Sequence, residues 1–300
     1  MPIRTYRKNE DTQEVLTFFN NKTKYAPFSV PLTEQYLHNY VLESCDQERI
    51  FYCLYTSDEK ISGIIHFGLN PRSETEGHIH LLLGDTTQIC MELLEYGQKI
   101  LLSMHVSRII AFSGHPNPYQ FFLYGAENYC WAGLYPTNNA FRHLGYDITL
   151  DIVVMSLSRK TFCNQERKIN PVFHIEEKII RNNEVTRQGE LVAYDKNPDA
   201  SEHNNMAGRS GYCFLKALTE RLGKGYGQIN IWINDEYQGK NIGRSLMQTM
   251  HQRLFDSGVE RIILATNQEL FRAIKFYEGL GYKQEAVRGY WYSKEIIAGC

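Results

Sequence analysis

Between Gly227 and Asn234 the apolar residues Ile229, Ile231 and Ile233 alternate with Gln228, Asn230, Trp232 and Asn234, the period of a strand with one buried face. After a short polar stretch the period changes. Ile242, Leu246, Met250 and Leu254 recur at every fourth position until Gly258 stops the run, so a helix opens directly behind the strand. Arg261–Ala265 is apolar enough for a second strand. Upstream, residues 2–6 predict a short strand, and Asp11 predicts the cap of a helix with Val15, Leu16, Phe18 and Phe19 inward. A second helix follows Pro31, with Leu32, Tyr36, Leu37, Tyr40 and Val41 at helical spacing. Arg49–Thr56 and Ile61–Asn70 predict a hairpin across Ser57–Lys60. His78–Leu83, Thr87–Ser103, Arg108–Ser113 and Ile148–Leu157 then read as strand, helix, strand and strand.

The pattern is α/β, with a mixed α+β sheet expected in each of two halves. The polar and basic run 158–170 before Pro171 predicts a linker that divides a domain at 1–160 from one at 161–300. Val172–Ile180 and Glu190–Asp195 flank Asn182-Asn183 as a hairpin, and Lys196–Arg209, rich in Asn, Asp, Ser and Gly, reads as a mobile loop. An internal repeat is visible as well. Asn139-Ala140-Phe141-Arg142-His143-Leu144-Gly145-Tyr146 echoes the stretch from Ala273 to Tyr282, and the elements before each come in the same order.

Composition changes this picture mainly by exclusion. With 32 Lys and Arg against 34 Asp and Glu in 300 residues, no basic field exists to attract phosphate backbones, so nucleic acid is not an expected partner. The 7 cysteines stand singly, with no Cys-x-x-Cys pair, which predicts reduced thiols and neither a disulfide framework nor a zinc site. No run approaches the ~20 apolar residues of a membrane span, and the N-terminus lacks an apolar leader; a cytoplasmic location is expected. His78 and His80 share a strand face, but no carboxylate or Cys with ligand spacing lies near them, so ordinary surface or cleft histidines are expected and no metal. Tyr119, Phe121, Phe122, Tyr124, Tyr129 and Trp131 cluster around Gly125, either as packing surface or as the lining of an acceptor pocket between the halves. Arg288, Tyr290, Trp291 and Tyr292 pose the same choice.

The chemistry is concentrated where the strand ending at Asn234 meets the helix. Gln238-Gly239-Lys240-Asn241-Ile242-Gly243 is a glycine-bearing strand-to-helix turn, and such a turn is an anion site because unpaired N–H groups and the helix dipole both favour negative charge. Gly239 and Gly243 allow close approach of a diphosphate, and Lys240 is either an added point charge or a solvated lysine. The segment Ile233–Leu246 resembles the acetyl-CoA signature of the GNAT-type N-acetyltransferase superfamily, Gln/Arg-x-x-Gly-x-Gly/Ala. Ala273–Tyr282 resembles its second signature, an Ala near the start of a helix that ends in aromatic-Tyr-Glu-x-Leu-Gly-aromatic. Asn241 stands where the family has its first loop glycine, a tolerable change because Asn visits the left-handed region readily.

The resemblance implies two tandem acyl-CoA N-acyltransferase-like domains, the first a degenerate copy. It implies acetyl-CoA as cosubstrate, its pantetheine arm along the main chain of Ile231, Trp232 and Ile233 between two parted parallel strands. The pyrophosphate would rest on the N–H groups of Gln238, Gly239, Lys240, Asn241, Ile242, Gly243, Arg244 and Ser245. Asn267 is the residue type that contacts the cofactor after the second strand, although Leu270 holds the usual spacing. Tyr277 is implied as the acid at the departing sulfur, or else it is a structural tyrosine. Asp235 and Glu236 read as solvated loop residues, and the general base is left unassigned. His78–Leu83 leads into Gly84-Asp85-Thr86-Thr87 without the loop signature, so the first half is not expected to hold acyl-CoA. The implied activity is direct transfer of acetyl to a primary amine, a small molecule or a peptide N-terminus, by a monomer or homodimer whose first half shapes the acceptor side. The alternative is a non-catalytic acyl-CoA sensor or scaffold.

Overall fold

The computed structural model describes residues 2–42, 50–57, 60–70, 73, 75–112, 118–119, 129–162, 173–182, 186–196 and 206–296. Two compact units emerge, Met1–Ile152 together with Val287–Cys300, and Val153–Ala286. This differs from a single boundary at residue 160 and a second domain running to residue 300. The chain leaves the first unit within the strand β7 (Asp147–Ser158) and returns within β13 (Lys283–Glu295). The return has a direct cause: Tyr292–Glu295 pair antiparallel with Ala111–Arg108 of β5 (Arg108–Ala111), and Gly289 and Tyr290 pair with β6 (Cys130–Trp131).

In the first unit, β1 (Ile3–Thr5), β2 (Ile50–Ser57), β3 (Lys60–Leu69) and β4 (Glu76–Gly84) are antiparallel neighbours, and β4 pairs parallel with β5. Helix α1 (Lys8–Thr23) begins three residues before the expected cap. Asp11 lies inside its first turn, accepts the Arg7 N–H at 2.6 Å and forms two 2.6 Å bonds with Arg4, so it satisfies the open helix end from within. The segment after Pro31 is a short turn, α2 (Glu34–Tyr36), running into a π-helical turn, Leu37–Leu42. Helix α3 (Thr87–Ser103) covers one face of the sheet, and α4 (Tyr135–His143) precedes β7.

His78 and His80 are buried, contrary to a surface placement; their rings stand 4.2 Å apart, and that of His66 is 4.9 Å from His80. Among the described residues no group of three or more His, Cys, Asp or Glu is placed to hold a metal ion. Tyr119, Tyr129 and Tyr292 are fully buried and so belong to the packing, Tyr292 stacked at 4.6 Å on Phe141. Phe121, Phe122 and Tyr124 lie outside the described residues.

In the second unit β8 (Phe173–Asn182), β9 (Thr186–Asp195), β10 (Met206–Leu215) and β11 (Tyr226–Ile233) are antiparallel, and β12 (Arg261–Asn267) joins β11 in parallel. Strand β10 takes up Met206–Arg209 of the expected loop; the loop's residues 197–205 lie outside the described ones. Its glycines conceal it from a search for alternation, yet they face β11 closely, and a Cβ on Gly208 would stand 2.9 Å from the main-chain Trp232 O. A Cβ on Gly208 would stand 2.5 Å from the Ile233 side chain, and one on Gly211 2.5 Å from that of Asn230. A short helix, α5 (Lys216–Leu222), leads into β11, and α6 (Ile242–Asp256) buries Ile242, Leu246, Met250 and Leu254 against Leu191, Ala193, Ile229 and Ile262. Each such side chain contributes about 1.5–3 kcal/mol, which fastens α6, and the turn that opens it, to the sheet. Helix α7 (Phe271–Glu278) completes the unit. Among the described residues no helix is long and apolar enough to cross a membrane.

His251 of α6 is fully buried between aromatic rings, its Nε2 2.9 Å from the Tyr282 hydroxyl, and burial pushes its pKa down to about 3. An unfolded histidine titrates near ~6.5, so below that pH the unfolded chain takes up a proton that the folded chain refuses until about pH 3. Stability therefore falls as pH falls through this window. Melting temperatures measured between pH 7 and pH 4.5 should decline, and His251→Gln should decline less steeply because its amide keeps the bond to Tyr282 without titrating. Some slope persists in that variant, since burial also pushes His66 down to about 3. Equal slopes in the two proteins would remove His251 from this account.

Candidate functional site

The turn between β11 and α6 is held by short-range bonds: Asn234 N–H to Ala207 O at 3.1 Å, Tyr237 N–H to Asn234 O at 2.8 Å, and Gln238 N–H to Asp235 O at 3.2 Å. Two residues then take left-handed backbone, Gly239 at φ +77° and Asn241 at φ +63°. The first is suited by glycine, and the second by the non-glycine type that tolerates this region best. Asn241 is the N-cap of α6 but makes no side-chain cap bond. The first helical bond is Ser245 N–H to Asn241 O at 3.1 Å, and the N–H groups from Gly239 to Arg244 bond to no other described residue. Six consecutive donors at a helix N-terminus form an anion cradle.

Beside the cradle the sheet comes apart. Parallel pairing of β11 with β12 runs from Tyr226↔Arg261 to Gln228↔Ile263 and ends there. The bonds of Gly225 O to Glu260 and Arg261, and of Asn234 N–H to Ala207, fix the parity of β11. Odd-numbered residues aim their main-chain groups at β12 and even-numbered ones at β10. Past the last pair, Ile231 and Ile233 thus present N–H and C=O groups to a gap rather than to a strand.

A cavity of about 740 Å³ fills this region, lined among others by Ile231, Ile233, Gly243, Ala273, Phe276 and Tyr277. Of the residues singled out from sequence, Ile231, Ile233, Gln238, Gly239, Asn241, Ile242, Gly243, Arg244 and Tyr277 line it. Trp232, Lys240, Ser245 and Asn267 do not. Trp232 points to the other sheet face by strand alternation and is 47% exposed. The Lys240 ammonium lies over the Tyr237 ring, 4.7 Å from its centroid, and Ser245 is packed inward. Asn267 Oδ1 accepts the Glu269 N–H at 3.1 Å, so its side chain closes its own turn, while Leu270 lines the cavity. Asp235 and Glu236 are exposed. Tyr237, Leu270 and Phe271 belong to the lining without having stood out in the sequence, because their position depends on how the turns before α6 and α7 fold rather than on a motif.

A Cβ on Gly243 would meet Ile233 at 3.4 Å and Ile231 at 3.5 Å, ordinary contact distances. Anything longer than a methyl there would enter the cavity.

Helices α4 and α7 begin and end alike. The N-caps Leu134 (φ −81°, ψ 66°) and Leu270 (φ −81°, ψ 65°) match. Asn138 N–H to Leu134 O corresponds to Ile274 N–H to Leu270 O, both at 3.0 Å, and Tyr146 N–H to Phe141 O at 3.0 Å corresponds to Tyr282 N–H to Tyr277 O at 3.1 Å. Gly145 and Gly281 both have positive φ. In this register Phe141 stands where the second unit has Tyr277, and Thr137 where it has Ala273. The differences are chemical. In the first unit β4 and β5 pair only as far as Ile79↔Ala111, and the Thr137 hydroxyl donates at 3.0 Å to Leu82 O in the space beyond. The Thr86 hydroxyl caps α3 by accepting the Ile89 N–H at 3.2 Å. The first unit thus closes with its own side chains both features that the second leaves open.

Residues 173–282 match the Acetyltransferase (GNAT) family. A tandem GNAT protein from the clavulanic acid biosynthesis pathway superposes with a TM-score of 0.67 at 11% identity, covering 99% of each chain. A GCN5-related N-acetyltransferase from Sphaerobacter thermophilus gives 0.58 at 12% identity, over 99% of this chain and 96% of its own. A GNAT-family acetyltransferase from Colwellia psychrerythraea gives 0.52 at 10% identity, over 99% and 100%. No curated protein matches the chain.

Proposed function

We propose that this chain, whose residues 173–282 match the Acetyltransferase (GNAT) family and whose fold is similar to that of a tandem GNAT protein, is a transferase that moves acetyl from acetyl-CoA to a primary amine in the cytoplasm. The observation that carries the proposal is the coincidence, at one cavity, of amides from Gly239 to Arg244 that bond to no other described residue, the main chain of Ile231 and Ile233 beyond the last β11–β12 pair, and the side chain of Tyr277. The volume, about 740 Å³, is in the ordinary range for a ligand site.

The Gly239–Arg244 amides receive the pyrophosphate, with the helix dipole adding to the attraction. The main chain of Ile231 and Ile233 bonds the pantetheine arm as a strand would. A β11 N–H polarises the acetyl carbonyl while the amine nitrogen attacks it. The carbon–sulfur bond then breaks, the Tyr277 hydroxyl gives its proton to the departing sulfur, and the proton that the new amide nitrogen sheds passes through water to restore the phenol. No covalent intermediate with the protein forms. The acceptor is a small amine or a peptide N-terminus, and the protein acts as a monomer or homodimer.

Because the first unit spends Thr86 and Thr137 on the places that the second leaves open, it takes no acyl-CoA. Calorimetric titration with acetyl-CoA should give one equivalent per chain, and a panel of amines should contain members that release the free thiol. Two equivalents would show the first unit to be a site. Tight binding with no thiol release from any amine would leave an acyl-CoA sensor as the better reading, and no binding would end both.

A further inference from the structure

The sheet of the second unit ends at β8, and among the described residues no strand pairs with its outer edge. The parity of β11 carries outward through the registers Gly211↔Asn230, Ser210↔Leu191 and Glu176↔Val192. It gives β8 even-numbered residues that bond to β9, while Ile175, Glu177 and Ile179 aim their N–H and C=O groups outward. Of the side chains on the α6 side, Ile175 packs against the core, and Glu177 accepts the Tyr212 hydroxyl at 2.8 Å and pairs with Arg253. Glu176 and Lys178 stand on the opposite face, both exposed. The first is 3.4 Å from the His174 imidazole, and the second donates at 3.3 Å to the uncharged Tyr194 hydroxyl.

Two copies of such an edge can join antiparallel about a two-fold axis and extend both sheets. Their outward groups meet only where odd-numbered residues face odd-numbered ones, so the axis must pass through a residue. On Glu176 it would set that carboxylate against its own copy, and on Lys178 the ammonium against its own. On Glu177 the charges complement each other: Glu176 of each copy faces Lys178 of the other. Ile175 then faces Ile179, which covers an isoleucine that is 53% exposed in the single chain. The two Glu177 carboxylates meet at the axis, each already paired with its own Arg253. We propose that the chain forms a two-fold dimer through β8, paired antiparallel about Glu177, with Glu176 and Lys178 crossing as ion pairs. One strand edge buries little area, so the dimer is weak and its population depends on concentration. This inference does not rest on the reading of the acetyl-CoA site.

The test is sedimentation velocity of the full chain over a dilution series, which should show a monomer–dimer equilibrium. Lys178→Glu and Glu176→Lys, each at an exposed position, should keep a cooperative melting curve and weaken the dimer about tenfold or more, because like charges then face each other twice. The double variant Glu176→Lys with Lys178→Glu restores opposite charges in this register and should return the dimer to near its wild-type strength. A dimer indifferent to both single substitutions would place the interface elsewhere, and a double variant as weak as the single ones would overturn the register. A wild-type chain that stays monomeric would overturn the dimer. Hydrogen exchange would then say what holds the edge: slow amides at Ile175, Glu177 and Ile179 would mean a segment of the same chain, and fast ones an edge left bare.

Discussion

Ala273→Thr is expected to abolish productive acyl-CoA binding in a protein that still folds. The expectation comes from the chain itself: the matching position of the first unit is Thr137, whose hydroxyl reaches 3.0 Å to Leu82 O in the space beyond the last β4–β5 pair. In the second unit Ala273 is half-buried, lines the cavity, and ends in a methyl group that leaves the gap free. A threonine there would set its hydroxyl against the unpaired carbonyls of β11 and take the bonds that the pantetheine arm needs. Each lost hydrogen bond is worth about 1 kcal/mol, and the added bulk narrows the gap, so calorimetry should show acetyl-CoA about 100-fold weaker or worse. Thr137→Ala is the control and should leave affinity and stoichiometry as they were. Wild-type affinity in Ala273→Thr, with a normal melting curve, would mean that the ligand does not lie between β11 and β12.

The second large effect belongs to Tyr277. Substitution by phenylalanine removes one hydroxyl from the cavity and little packing, and the first unit already accommodates Phe141 at the matching place, fully buried. Acetyl-CoA affinity should therefore stay near its wild-type value. With a working amine, kcat should fall about 10²-fold or more, since protonation of the leaving sulfur by a positioned acid contributes ~10²–10⁴. A drop confined to affinity would make Tyr277 a packing residue, and unchanged turnover would remove the acid role altogether.

The loop and its helix were legible because their determinants are local. Left-handed backbone at Gly239 and Asn241, and the four-residue recurrence of Ile242, Leu246, Met250 and Leu254, are properties of about twenty consecutive residues. Strand β10 was not legible, because Gly208 and Gly211 answer to the side chains of β11, which are supplied from elsewhere in the chain. Asn267 shows the limit of motif reading from the other side. Its type suited a cofactor contact, but two residues on, the Glu269 N–H had a nearer claim on its oxygen. Ser245 and Lys240 sit within the loop signature, yet the helical period turns the first into the core, and the second finds the Tyr237 ring.

By itself the sequence determined that a strand, a left-handed turn and an amphipathic helix follow one another, and that one pattern occurs twice, since periodicity and backbone preference act between near neighbours. Tertiary structure alone decided that β11 and β12 part after Gln228↔Ile263 and that the end of β13 completes the first unit. Those outcomes depend on which strands find partners across the fold, and the residues at a strand end do not themselves say where its pairing stops.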